Sequence, residues 1–321
     1  VSGAVLVTGA AGFIGSHLSE ALVARGRTVV GYDNFDPFYP RAVKEHNVAA
    51  LKAGPGFHLV EGDILDRPLL ERACRDHGVT EIVHLAALAG VRPSIADPYR
   101  YQEVNILGSA NVLECARDLK VGNLLFGSSS SVYGNNEKVP FSEADPVDHP
   151  ISPYAATKKA GELICHTYHH LFEVPVTCLR FFTVYGPRQR PDLAIAKFTR
   201  LIDSGRPIPF FGDGTTRRDY THIGDIVAGV LAALDRPTPY AVYNLGESQT
   251  TTLAELVAMI EAALGKRAVL ERLPPQPGDV RITYADITRA REALDYAPAT
   301  PIADGIPRYV AWYLEQKERA T

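Results

Sequence analysis

The chain has 321 residues, 46% of them apolar and 22% charged, with a net charge of −4, an ordinary globular balance with room for a sizeable core and two packed lobes. Its longest basic runs are pairs such as Lys158-Lys159 and Arg217-Arg218, which excludes a nucleic-acid stripe, and no apolar stretch is long enough to predict a membrane span. No charged signal region precedes the first strand-like run, and Cys74, Cys115, Cys165 and Cys178 lack paired spacing, so a cytoplasmic protein with reduced, buried thiols and no metal site is expected.

Residues 4–8 form a short apolar run, Gly9-Ala-Ala-Gly12-Phe-Ile-Gly15 follows, and Phe13, Ile14, His17, Leu18, Ala21 and Leu22 recur at helical spacing. The pattern predicts strand, glycine turn and helix. Glycines allow the tight turn and let backbone N–H groups approach a pyrophosphate at the helix amino terminus, where the dipole favours negative charge. The spacing is one residue longer at its first gap than the common dinucleotide fingerprint. A second strand, 28–32, ends at Asp33, followed by Asn34. A carboxylate there can accept hydrogen bonds from an adenosine ribose and repels a 2′-phosphate, favouring NAD over NADP.

Strand and helix signals then alternate at 57–61, 69–76, 81–85, 99–119, 123–126, 153–171 and 176–181. The expected fold is α/β, a Rossmann-type doubly wound parallel sheet. Ligands of such sheets sit beyond the carboxyl ends of the strands. There fall Gly9, Gly12, Phe13, Ile14, Gly15, Asp33, Asn34, Asp63, Ile64, Leu85, Ala86, Ala87 and Phe181, the candidate cofactor residues, together with Ser128 to Ser131. Asp63 reads either as a partner for the adenine amino group or as a turn or cap residue. Tyr154 and Lys158 lie four apart in a helical pattern, hence on one face. An ammonium beside a phenol favours the phenolate, so the pair is a candidate acid/base.

Gly9-x-x-Gly12-x-x-Gly15, the Tyr154/Lys158 pair and Phe126-Gly-Ser-Ser-Ser-Ser-Val-Tyr-Gly134 together resemble the extended short-chain dehydrogenase/reductase family, in its group of nucleotide-sugar epimerases, dehydratases and decarboxylases. The resemblance runs through Arg180-Phe-Phe-Thr-Val-Tyr-Gly-Pro187, Phe211-Gly-Asp-Gly-Thr-Thr-Arg-Arg-Asp-Tyr220 and Gly278-Asp-Val-Arg281. It implies catalysis by Ser129, Tyr154 and Lys158, with Tyr154 and Lys158 also counted among the cofactor-binding residues and Lys158 holding the nicotinamide ribose. Ser129 would bind the reacting sugar hydroxyl and Tyr154 would take its proton while hydride leaves the same carbon.

The residues after Ser129 bear on the product. Dehydratases of the group carry Asp-Glu there, whereas this chain has Ser130 and Ser131. The related UDP-glucuronate decarboxylases carry Glu at Ser131 and, like UDP-glucose epimerases, usually Asn at Thr183. These departures, with Ala89-Gly-Val-Arg-Pro-Ser94, resemble the UDP-glucuronate 4-epimerases. The resemblance therefore implies NAD-dependent inversion at C4 of UDP-glucuronate without loss of carbon dioxide, in a homodimer paired through helices 99–119 and 153–171. Hydroxyls of Ser130, Ser131 and Thr183 would hold the substrate carboxylate, with Arg92 assisting, and Arg190, Arg218 and Arg281 would meet the diphosphate. A UDP-glucose/UDP-galactose-type 4-epimerase and a noncatalytic dinucleotide sensor remain as alternatives. The expected division is an NAD-binding domain at 1–183 and a substrate-binding lobe, mainly 184–321, interleaved with the sheet.

Overall fold

The computed structural model describes residues 3–275 and 280–319. Its strands are β1 (Ala4–Thr8), β2 (Val29–Asp33), β3 (Phe57–Glu61), β4 (Val79–His84), β5 (Asn123–Ser129), β6 (Val176–Phe181), β7 (Thr183–Tyr185), β8 (Ile208–Phe211), β9 (Arg217–Arg218), β10 (Tyr220–His222), β11 (Tyr240–Leu245), β12 (Thr251–Thr252) and β13 (Leu270–Leu273). The helices are α1 (Phe13–Ala24), α2 (Arg41–Ala53), α3 (Arg67–Asp76), α4 (Val91–Ala96), α5 (Pro98–Gln102), α6 (Gly108–Leu119), α7 (Pro153–Phe172), α8 (Ala194–Asp203), α9 (Ile223–Asp235), α10 (Leu253–Leu264), α11 (Thr288–Leu294) and α12 (Ile302–Arg319).

Seven parallel strands form the central sheet in the order β3-β2-β1-β4-β5-β6-β11. Because successive residues of a strand point to opposite faces, Val5 and Val7 of β1 join the core beneath α1 and α9, and Ala4 and Leu6 join the core beneath α3, α6 and α7. Every side chain of β1 is buried, as a sheet covered on both faces requires. The chain winds outward from β1 through β2 to β3 and then restarts at β4 on the other side. That reversal opens a crevice beyond β1 and β4, where ligands of such folds bind.

After Thr183 the chain returns to the sheet as β11, with α9 and α11 packed against it. A third core gathers Ile195, Phe198 and Ile202 of α8 with Ile208, Leu256, Ile260, Ile306 and Tyr309. This lobe closes over the carboxyl ends of the strands through β7, paired with β10.

The expected single helix over 99–119 is instead α5 and α6 joined by a π turn, Glu103–Leu107. A π turn admits an extra residue and turns a side chain inward. Here Asn105 is buried, receives the Leu88 amide at 2.8 Å and donates to the Leu88 carbonyl at 2.9 Å and to Thr157 Oγ1 at 3.0 Å. All four cysteines are free and buried. Among the described residues, no helix is long and apolar enough to cross a membrane and no cluster suits a metal ion.

Candidate active site

A cavity of about 380 Å³ runs along the crevice. Its floor is the glycine turn. Gly9 has φ of +71°, and a Cβ on Gly15 would stand 2.1 Å from the Gly9 carbonyl oxygen, so that position accepts no side chain. Helix α1 starts at Gly12 with no side-chain cap and no acid in its first turn, leaving its amino-terminal N–H groups and dipole to an anion. Asp33, at the end of β2, accepts the Ala11 amide at 3.0 Å and the Phe35 amide at 2.8 Å, with Lys44 Nζ at 3.6 Å. Asp63 accepts from the Asn34 side chain at 2.8 Å and from the Leu65 amide at 2.9 Å; the cap of α3 is Asp66. Phe13, Ile14, Ile64, Leu85, Ala86, Ala87 and Phe181 add apolar walls. Pyrophosphate cradle, ribose carboxylate and apolar slot fit a dinucleotide.

At the centre, Ser152 caps α7 by accepting the Ala155 amide at 3.1 Å, which fixes Tyr154 in the first turn. The Tyr154 ring meets Tyr101 edge-on at 6.3 Å. Lys158, one turn on, is buried, donates to the Gly127 carbonyl at 2.7 Å and lies 5.3 Å from the Phe126 ring centroid. Burial lowers its pKa to about 8. Burial also pushes the Tyr154 phenol up, while a hydrogen bond with Ser129 and the Arg190 charge pull it down. Desolvation favours the neutral form of both groups, and the opposing pull on the phenol comes from Ser129 and Arg190.

The other end of the cavity is lined by Ser129, Ser130, Ser131, Thr183 and Arg190. Ser129 Oγ donates to Ser131 Oγ at 3.1 Å. Thr183 opens β7, its amide donating to the Asp219 carbonyl at 3.1 Å. A smaller adjoining cavity, about 130 Å³, shares Ser130, Ser131 and Thr183 and adds Arg218. Arg190 is paired with Asp192 at 2.7 Å. Of the other expected cations, Arg92 stacks over the Phe211 ring at 4.7 Å and Arg281 is exposed; neither side chain lines the two cavities, while their neighbours Val91 and Val280 line the smaller one. Gly278 and Asp279 of the expected substrate motif fall outside the described residues.

The structure adds contributors that no motif announced. Thr8 Oγ1 bonds His84 Nδ1 at 2.7 Å and receives the Leu85 and Ala86 amides at 3.1 Å, while His84 Nε2 meets Ser109 at 2.9 Å. Burial lowers the His84 pKa to about 3, so this imidazole is neutral and serves as a brace for the cofactor wall. Asn105 braces the adjacent Leu88. Neither reads from sequence, because an isolated His or Asn in an apolar segment carries no spacing signal; the π turn that aims Asn105 is the cue that was absent.

The NAD dependent epimerase/dehydratase family matches residues 5–246. A probable UDP-glucuronate 4-epimerase of Rhizobium meliloti is 40% identical, with 98% of each chain covered. UDP-glucuronic acid 4-epimerase from Bacillus cereus, solved with UDP-glucuronic acid and NAD, superposes with a TM-score of 0.92 at 37% identity, over 97% of this chain and 99% of that one. UDP-glucose 4-epimerase of Thermus thermophilus, solved with NAD, gives 0.87 at 33% identity, over 97% and 98%. A parallel sheet with a glycine cradle, a Ser-Tyr-Lys centre and these matches end to end make this chain a member of the NAD dependent epimerase/dehydratase family.

Proposed function

We propose that the protein inverts C4 of UDP-glucuronate to give UDP-galacturonate without decarboxylation. One observation carries the reading: around Tyr154 the segments at 129–131 and 183 present only hydroxyls, with Arg190 and Arg218 beside them, whereas the lining carboxylates, Asp33, Asp36 and Asp63, come from the segments after β2 and β3. The carboxylate beside that end, Asp192, is paired with Arg190 at 2.7 Å, so the lining hydroxyls face a sugar carboxylate without an uncompensated like charge. Bound NAD supplies the hydride acceptor and returns the hydride. Ser129 holds the C4 hydroxyl and Tyr154 removes its proton; once the keto sugar has turned so that hydride returns to the opposite face of C4, Tyr154 restores the proton to the C4 oxygen. Lys158, held by Gly127, orients the cofactor ribose. Arg190 and Arg218 meet the diphosphate.

Oxidation at C4 makes a β-keto acid, which loses carbon dioxide when its carboxylate bond aligns with the carbonyl π system. Hydrogen bonds to a charged group are worth about 1.5–3 kcal/mol each, so Ser130, Ser131 and Thr183 together suffice to hold the carboxylate out of that alignment. Product analysis by NMR tests the assignment. UDP-glucuronate and UDP-galacturonate should interconvert; UDP-pentose as main product, or turnover of UDP-glucose alone, refutes it. The second outcome would favour the neutral-hexose epimerase, a reading kept open by the likeness to the Thermus thermophilus enzyme.

A homodimer is part of this proposal, supported by exposed Leu107 beside α6 and exposed Leu163 and Leu171 on α7. A solution mass near twice 34.9 kDa is expected. Four free thiols suit a cytoplasmic setting. We assign the sheet with β11 to cofactor binding and the lobe around α8, α10 and α12 to the substrate.

A further inference from the structure

The loop after β2 is stitched to itself. Asp33 accepts the Phe35 amide at 2.8 Å, Asn34 accepts the Asp36 amide at 2.9 Å, and Asp36 Oδ1 accepts the Phe38 amide at 2.9 Å. Three successive side-chain-to-backbone turns restrict its dihedrals. Asp36, Phe38 and Tyr39 of this loop line the cavity, as do Leu88, Gly90 and Val104 from the β4 side. Outside itself the loop is held by the Asn34 donation to Asp63 at 2.8 Å and by Lys44, 3.6 Å from Asp33 and 5.1 Å from the Tyr39 ring centroid, and two further contacts come from residues later in the chain. Arg100 of α5 donates to the second Asp36 oxygen, and the Arg190 guanidinium lies 5.0 Å from the Phe38 ring centroid.

We propose that the Asp36–Arg100 ion pair is a latch across the cofactor groove that slows dinucleotide release between the two hydride transfers. The inference rests on NAD occupying this groove. A redox-neutral reaction regenerates its oxidant only if the reduced cofactor stays until hydride returns, so retention has a chemical purpose here that it lacks in an enzyme exchanging cofactor every turnover. The pair suits a latch because it is partly exposed, at 44% for Arg100 and 15% for Asp36. It can therefore open without burying an unpaired charge. Asp36 keeps its turn through Oδ1 whether or not Arg100 is engaged, so loop shape and latch are separable.

The test is exchange of bound NAD for isotope-labelled NAD in purified holoenzyme, followed by rapid filtration. Partly exposed pairs contribute modestly, so Arg100→Ala should speed release about two- to fivefold, Arg100→Glu should speed it more, and Arg100→Lys should stay near wild type. Added salt should accelerate release from wild type and have little effect on Arg100→Ala, because screening acts on the pair itself. The salt comparison in wild type needs no variant. Equal release rates across the series, or equal salt dependence in wild type and Arg100→Ala, overturns the latch. Holoenzyme that binds no NAD overturns the groove assignment and the latch with it, and labelled cofactor distinguishes that failure from the first.

Discussion

The two ends of the cavity differ in their chemistry, and the difference separates what the whole family does from what this chain does. At the adenosine end the acceptors are carboxylates: Asp33 at the end of β2, and Asp63 one strand over, joined to it through Asn34. They suit ribose and adenine, neutral donors. At the sugar end the groups are Ser130, Ser131, Thr183, Arg190 and Arg218. They suit an anion. Tyr154 and Lys158 line the same cavity; in the proposed assignment they serve both ends and leave the choice of product to the sugar end.

The largest expected effect lies at that junction. Tyr154→Phe should lower turnover by about 10²–10⁴-fold, the usual worth of a placed acid/base, with NAD content unchanged on extraction and chromatography. If NAD content falls with activity, Tyr154 belongs to the adenosine end and the division between the ends is misplaced. Next, Ser131→Glu carries the chemistry of one end to the other. A second carboxylate beside the substrate's should lower kcat/KM for UDP-glucuronate by about 10–100-fold through like-charge repulsion, measured against UDP-glucose, which should suffer much less. A smaller change follows at the far end. Asp63→Ala removes one acceptor and should weaken NAD binding about two- to tenfold, by titration calorimetry, without altering the products.

The smallest effect on chemistry is expected at Glu247, which lines neither end. Burial, with Asp225 and Asp219 nearby, pushes its pKa up to about 7. Tyr185 and Tyr296 face the same cluster. The folded chain thus keeps a proton that the unfolded chain releases near 4.5. Stability from this group is full below that pH, declines as pH rises toward 7, and stays low above it. Glu247→Gln should raise the melting temperature by several degrees near pH 8 and little near pH 4.5, with product ratios unchanged. A changed product ratio would show that groups outside the sugar end also select the outcome.

The adenosine end was legible in the sequence because its parts are local. Gly9, Gly12 and Gly15 sit in one turn, and Asp33 ends the next strand, so spacing alone brings them together. The sugar end draws on residues far apart in the chain. Ser131 and Thr183 meet only because β5 and β6 are neighbours in the sheet, and Arg218 arrives through the pairing of β9 and β10 with their partners. Family likeness also offered Arg92 and Arg281, whose side chains line neither cavity although their neighbours Val91 and Val280 line the smaller one. Lys44 was missed for a related reason: its contact with Asp33 depends on how α2 packs against the loop, which periodicity does not encode. The π turn was missed because helical periodicity over 99–119 persists through it.

In the proposed mechanism, hydroxyls at the sugar end hold the carboxylate and so prevent its loss. Thr183→Ala tests it most directly, by following UDP-glucuronate with ¹H NMR and comparing UDP-pentose with UDP-galacturonate over time. The share of UDP-pentose should rise well above that of wild type while Tyr154-dependent oxidation continues. An unchanged ratio of the two products would remove Thr183 from the carboxylate site and leave retention of the carboxylate without its proposed cause.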